Sequence, residues 1–218
     1  MFIGHYALGL AAKRLAPRTS LGALVAAPTL ADLLWPLFLL LGWERATITP
    51  SGNPFLNLTF GSYPLSHSLV TLIGWAVVFG LLYALRTQNR SGAVILGALV
   101  VSHWVLDYVT HVPDMPLWPG GPKVGLGLWR SPTATVAIES VMFIAGAWLY
   151  LGATRARDGI GRWALWTFLA FLVLSYAGAL FSPPPPTVHA IAIGGLAFGW
   201  LFVGWAWWGD RHREGAAA

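Results

Sequence analysis

The chain contains no cysteine, which excludes disulfides, thiolate nucleophiles and cysteine-ligated metals; any metal must be held by histidine and carboxylate. Charge is also scarce. Only 10% of the 218 residues are Asp, Glu, Lys or Arg, against roughly 25% in an average soluble domain. In their place stand 56% hydrophobic residues, with a mean hydropathy of +0.65. That balance describes an integral membrane protein rather than a soluble enzyme. Internal repeats and composition shifts are lacking too, so a single domain over residues 1–218 is expected.

Six apolar runs approach or exceed the roughly 18–20 residues that a helix needs to cross the hydrocarbon: residues 21–41, 65–85, 92–110, 133–151, 163–181 and 188–208. A seventh, residues 2–15, is too short to span. It reads as a half-span, a re-entrant or an interfacial helix. It does not read as a signal peptide, because Lys13, Arg14 and Arg18 follow the apolar stretch instead of preceding it. The expected fold is therefore an all-α polytopic bundle of about six transmembrane helices plus a short N-terminal apolar helix.

The net charge of +5 does not point to nucleic acid, because the basic residues track topology. With the link before Leu21 placed inside, Lys13, Arg14, Arg18, Arg86, Arg90, Arg155, Arg157, Arg162, Arg211 and Arg213 all fall on that side, leaving Arg45, Lys123 and Arg130 outside. The positive-inside rule then makes that side, and the C-terminus, cytoplasmic. Trp35, Trp43, Trp163, Trp166, Trp207 and Trp208 lie near the expected helix ends as interface anchors. Two outside loops, residues 42–64 and 112–132, are long enough to carry function. Residues 183–186 are a polyproline turn and 215–218 a frayed tail. Gly195 and Gly199 form a small-xxx-small pattern, whose ordinary meaning is close helix packing.

Against this apolar background a few ionisable residues stand out. His103, Asp107 and His111 recur at i, i+4 and i+8 of one expected span, so they climb one helix face as neighbouring metal ligands or proton-relay groups do. A charge at mid-membrane costs roughly 2.5–3.5 kcal/mol even on lenient insertion scales, so such groups face a polar cavity and pair with something. Under the topology above, Asp32, His67, His103, Asp107, His111 and Glu139 all fall in the outer half of their spans, and His5 joins them if the N-terminal helix runs inward. Asp32, His67, His103 and Asp107 are the candidate metal ligands, a set suited to Zn²⁺ and also to Mn²⁺ or Fe²⁺. His5, His111 and Glu139 are candidates for a second metal or for catalysis. Lys123 and Arg130 could attract an anionic head group from outside. Ser66 and Ser68 flank His67 and could hydrogen-bond it. His189 and His212 are expected to be solvated or interfacial, and Glu44, Arg45 and Asp114 to lie on the loop surface or at the entrance to the site.

Gly4-His5, Asp32 after Ala27-Pro28, Pro64-Leu65-Ser66-His67-Ser68, and Ser102-His103-x-x-x-Asp107-x-x-Thr110-His111-x-Pro113-Asp114-x-Pro116 together resemble the bacterial membrane-bound metal-dependent hydrolases, also described as inner-membrane-associated hydrolases. The resemblance covers roughly residues 1–139. The order His, Asp, His, His-x-x-x-Asp, His, Glu is also similar to that of the ligands in soluble zinc-dependent phospholipase C and the related single-strand nucleases. That resemblance implies one metal among Asp32, His67, His103 and Asp107, with His5, His111 and Glu139 near further metals. Two departures matter: the soluble enzymes have a second histidine shortly before the glutamate, absent here near Ile138, and the membrane family usually shows Pro-Asp-x-Asp where this chain has Asp32 alone. One or two metals are expected rather than three.

These readings converge on a metal-dependent hydrolase of the bacterial inner membrane, built from a metal-site half (1–151), two C-terminal helices (163–208) and a basic tail (209–218). It would use metal-bound hydroxide on a phosphoester or ester of a lipid or lipid-linked substrate. The alternative is a proton-coupled transporter or channel in which the same groups form a His/Asp relay. A third possibility is a scaffold that keeps a metal for stability alone.

Overall fold

The computed structural model describes residues 1–216 and is an all-α polytopic bundle. Its first helix, α1 (Ile3–Ala12), is about 15 Å long at 1.5 Å per residue, half of the roughly 30 Å hydrocarbon core. It is buried around nearly its whole circumference, Ile3, Gly4, His5, Tyr6, Ala7, Gly9, Leu10 and Ala12 all being enclosed. A helix apolar on every side belongs inside a bundle. Close approach makes room for it. A methyl group on Gly9 would lie 2.6 Å from the Leu24 carbonyl oxygen, and one on Gly146 would collide with the backbone of Ala7.

The run at 21–41, expected as one span, is instead two short helices, α2 (Leu21–Ala26) and α3 (Leu30–Leu40), with a turn over Ala27–Thr29. Pro28 accounts for the break, since its nitrogen cannot donate and its ring crowds the preceding turn. A second interruption falls at the start of the next run, where α4 (Pro64–His67) is a single turn and Ser68 is extended at φ −77°, ψ 145°. The Ser68 hydroxyl then caps α5 (Leu69–Thr87) by accepting from Thr71 N. α6 (Arg90–Thr110), α7 (Pro132–Ala153), α8 (Gly159–Phe181) and α9 (Val188–Asp210) follow, and among the described residues these last three with α5 and α6 are the five helices long and apolar enough to cross a membrane. Their outward faces carry exposed Leu81, Leu85, Val94, Ile144, Leu174 and Leu201. Apolar surface on that scale calls for lipid.

The expected outside loops are partly ordered into strands. Residues 42–64 hold a hairpin of β1 (Arg45–Ile48) and β2 (Leu58–Ser62); residues 112–132 hold the short pair β3 (Met115–Pro116) and β4 (Lys123–Val124). Lys123 Nζ donates to Gly61 O and Asn53 Nδ2 to Trp129 O, tying the two loops together. Gly215 and Ala216, expected as the start of a frayed tail, are paired. β6 (Arg213–Gly215) pairs antiparallel with β5 (Thr154–Ala156), and Ala216 N donates to Ala153 O. Residues 217–218 of that tail lie outside the described residues.

The end of the bundle opposite the hairpins is held by a buried knot around Asp210. Its carboxylate accepts from Lys13 Nζ at 2.7 Å, Leu21 N at 2.9 Å and Tyr150 Oη at 2.7 Å, joining α1, α2, α7 and α9. The links carrying Lys13, Arg155 and Arg213 therefore gather at one end, as the alternation of charge requires. Removing one partner of a buried ion pair leaves the other uncompensated, at a cost of about 3–5 kcal/mol. Asp210→Ala is thus expected to lower unfolding stability by about that amount. Tyr150→Phe, which removes one hydrogen bond, should cost about 1 kcal/mol. Equilibrium unfolding in mixed detergent measures both, and equal effects would contradict the assignment of Asp210 as the knot's centre.

Candidate metal centre

The two chain breaks explain how residues from separate spans meet. The turn at Pro28 ends α2 after six residues, bringing the Pro28 carbonyl beside α6 and putting Asp32 in the first turn of α3. The interruption at Ser68 makes His67 the last residue of α4, with its side chain buried. α6 supplies His103 and Asp107 one turn apart, and His111 caps its end with extended backbone (φ −64°, ψ 149°). α1 contributes His5.

Asp107 is the hub. Its Oδ1 accepts from the Met1 amino group at 2.6 Å and from His5 Nε2 at 3.1 Å. Its Oδ2 lies 3.1 Å from His103 Nε2, 3.6 Å from His111 Nε2 and 4.0 Å from His67 Nε2. The His67 Nε2 also faces Asp32 Oδ1 at 3.6 Å. Two groups, His5 with His103 and Asp107, and Asp32 with His67 and His103, each offer ligand atoms within 4.8 Å of one another. His103 is common to both. The rings of His5 and His103 stack at 4.0 Å between centroids, so the two groups form one continuous cluster.

The far nitrogens of three imidazoles are already engaged. His103 Nδ1 donates to the Pro28 carbonyl at 2.8 Å, which leaves Nε2 with its lone pair toward the centre. That atom is buried and has no hydrogen-bond partner, since a lone pair cannot donate to the Asp107 carboxylate 3.1 Å away. His67 Nδ1 donates to Ser66 Oγ at 2.7 Å, and the Ser66 hydroxyl donates onward to Glu44 Oε2 at 2.6 Å. His111 Nδ1 donates to Asp114 Oδ1 at 2.9 Å, a carboxylate that also accepts from Tyr63 Oη at 3.1 Å. Anchoring one ring nitrogen on an oxygen acceptor is how proteins fix the tautomer and aim of metal-binding histidines. His5 differs. Its Nδ1 is buried without a partner, so its orientation rests on packing and on Asp107.

Glu44 and Asp114, expected on the loop surface, are corrected here to supports of the cluster. Glu44 is 2% exposed and accepts from Leu65 N, Ser66 N and Ser66 Oγ, which holds α4 in place beneath it. Asp114 orients His111. Arg45 is exposed, as expected. Glu139 is engaged elsewhere: its Oε2 accepts from Phe2 N at 2.8 Å and Gly4 N at 3.1 Å, closing the N-terminal turn of α1, where an acidic group is favoured. Lys123 and Arg130 are exposed on the hairpin side. Trp129, next to Arg130, covers His111 with ring centroids 3.9 Å apart. His189 is exposed, and His212 bonds Asp158 at 2.8 Å at the opposite end of the bundle.

Charge of this density in a bundle interior is costly unless paired. The nitrogen and oxygen donors present match what Zn²⁺, Mn²⁺ or Fe²⁺ take, and the unpartnered His103 nitrogen could serve as one of the ligands. Comparison with protein-family models, with curated proteins and with solved structures finds no match.

Support residues that orient metal-binding histidines typically contribute 10–100-fold to metal affinity. Glu44→Gln, which keeps the size of the side chain but weakens the acceptor for Ser66, is therefore expected to loosen Zn²⁺ binding by about that factor. Competition titration with a chromogenic chelator reads it. An unchanged affinity would mean that the Glu44–Ser66–His67 chain serves only to fold α4.

Proposed function

We propose that this protein is a divalent-metal-dependent hydrolase of the membrane, acting on a phosphoester or ester. The observation that carries this reading is the shared aim of the histidines. His67 comes from α4 and His103 and His111 from successive turns at the end of α6, yet each has Nδ1 tied to an oxygen acceptor and Nε2 turned toward Asp107. A purely structural hydrogen-bond net would satisfy the inner nitrogens as well; here His103 Nε2 remains orphaned.

His67, His103, Asp107 and Asp32 would hold the cation, with His5 beside them. Bound there, a divalent ion polarises a phosphoryl or carbonyl oxygen and makes water acidic enough to react near neutral pH. The chain's own groups do the rest. Asp32 presents its carboxylate outward, its side chain 45% exposed while those of His5, His67, His103, Asp107 and His111 are at most 4% exposed, so substrate meets the site at Asp32. His111, anchored on Asp114 and 3.6 Å from Asp107, is placed to hold a proton released from water and return it to the leaving group. The enclosure by α1, α6 and α7 keeps bulk water away. The resemblance to the membrane-bound metal-dependent hydrolases supports the same chemistry, with zinc as the expected ion and a lipid-linked compound as the expected substrate. It also supports a site on the outer half of a bacterial inner membrane, with the C-terminus inside.

A proton relay through the membrane finds less support. One and two turns further along α1 and α6 from the cluster stand Leu10, Val100 and Leu96, all buried and apolar. A relay needs polar steps there.

Purified protein is expected to carry stoichiometric divalent metal by elemental analysis, and His103→Ala to carry little. His111→Ala should keep its metal while hydrolysis of a chromogenic phosphoester falls by about 10²–10⁴-fold, the usual range for a proton-transfer group. Wild-type protein prepared without chelator and found free of metal, and unable to take it up, would overturn the reading.

A further inference from the structure

The exposed face of Asp32 opens into a cleft of about 680 Å³ between the start of α1, α3, α8 and α9, within the 300–1,000 Å³ usual for small-molecule sites. Its walls are unlike the metal cluster. Apart from Asp32, Thr29, Ser175 and the polar tips of Tyr6 and Trp35 the lining is apolar, with Leu33, Phe198 and Phe202 among the larger side chains. Glycine shapes the α9 wall in two ways. Gly195 and Gly199 seat Pro36 and Leu33 of α3, whose atoms would lie 2.8 Å and 2.7 Å from an added methyl group, whereas a methyl group on Gly194 would meet nothing within 4 Å. The first two glycines pull the helices together; the third leaves the space beside them open.

We infer that this cleft binds the apolar chain of the substrate, an acyl or prenyl tail, with the bond to be cleaved held at Asp32. The inference rests on the hydrolase reading and adds to it the location of the chain and the residues that limit its bulk. A soluble polar substrate would leave aromatic and aliphatic walls facing water, whereas an alkyl chain covers them and gains the hydrophobic free energy. The polarity runs the right way. The charged end of the cleft is the one that touches the metal cluster, and its remaining length lies between two membrane-spanning helices. The Pro183–Pro186 turn, which joins those helices, contributes Pro185 to the lining and stiffens one rim.

The experiment separates chain binding from catalysis. A hexadecyl phosphate carrying a mid-chain diazirine is photolysed with the metal-loaded protein in phosphatidylcholine nanodiscs, and the labelled residues are mapped by mass spectrometry. Labels are expected on α8 and α9 around Ser175, Gly194 and Phe198, and to fall at least tenfold in Gly194→Phe, whose ring occupies the open space. Metal content in that variant should match wild type. Ala179→Phe, on the facing wall, gives the same test if the first variant does not fold. Labels spread evenly over lipid-facing residues such as Leu81 of α5, or undiminished in a folded variant, would overturn the inference. Cleft labelling that persists in protein without hydrolytic activity would instead sink the hydrolase reading and leave the chain site standing.

Discussion

Asp107 is the constraint on which the rest of the interior depends. A carboxylate 2% exposed in a lipid-embedded bundle has no water to solvate it, so the chain must surround it with donors or with a cation. Four histidines and the Met1 amino group converge on its two oxygens. Meeting that requirement shapes the fold. α1 brings His5 to Asp107, the break at Pro28 frees a carbonyl to receive His103, and the break at Ser68 lets His67 turn inward. Each irregularity in an otherwise regular bundle delivers one group to one carboxylate.

The two ends of α1 show how such a buried helix is held. At one end Glu139 accepts from Phe2 N and Gly4 N; at the other Lys13 is fixed by Asp210 and the Thr19 carbonyl. In between, contact is backbone against backbone at Gly9 and Gly146. Close packing of this kind drives helix association in lipid, where the hydrophobic effect between helices is absent. His5 is therefore placed by rigid contacts on both flanks and by its bond to Asp107, while the Nδ1 of its ring has no partner.

The spans of α5 to α9, the i, i+4 pair on α6 and the meeting of Asp32, His67, His103 and Asp107 were legible in the sequence, because each follows from hydropathy and helical period. Depth reasoning places only residues within spans. Glu44 and Asp114 sit in loops, where nothing in composition separates a surface acid from one folded back under a hairpin; the signal was local, an acid three residues after His111 and a serine directly before His67. Pro28 could have warned that the run 21–41 would break, but apolar length outweighed one proline. The pattern at Gly195 and Gly199 does mean close packing, yet the neighbouring Gly194, identical in composition, has the opposite consequence. Only the placement of α3 against α9 separates the two.

That placement links the two halves of the chain. The resemblance in motif stops near residue 139, and by sequence alone α8 and α9 look like packing material. In the structure α9 lies along both α2 and α3, and α8 and α9 form the walls of the cleft that ends at Asp32. A cluster built by α1, α3, α4 and α6 thus has its accessible side defined by helices that contribute no charged group to it. For the hydrolysis proposed above, the choice of what is cleaved would belong to α8 and α9 and the chemistry to the first half. Variation in the C-terminal helices could then change the substrate without disturbing the buried carboxylate that the rest of the bundle is arranged to satisfy.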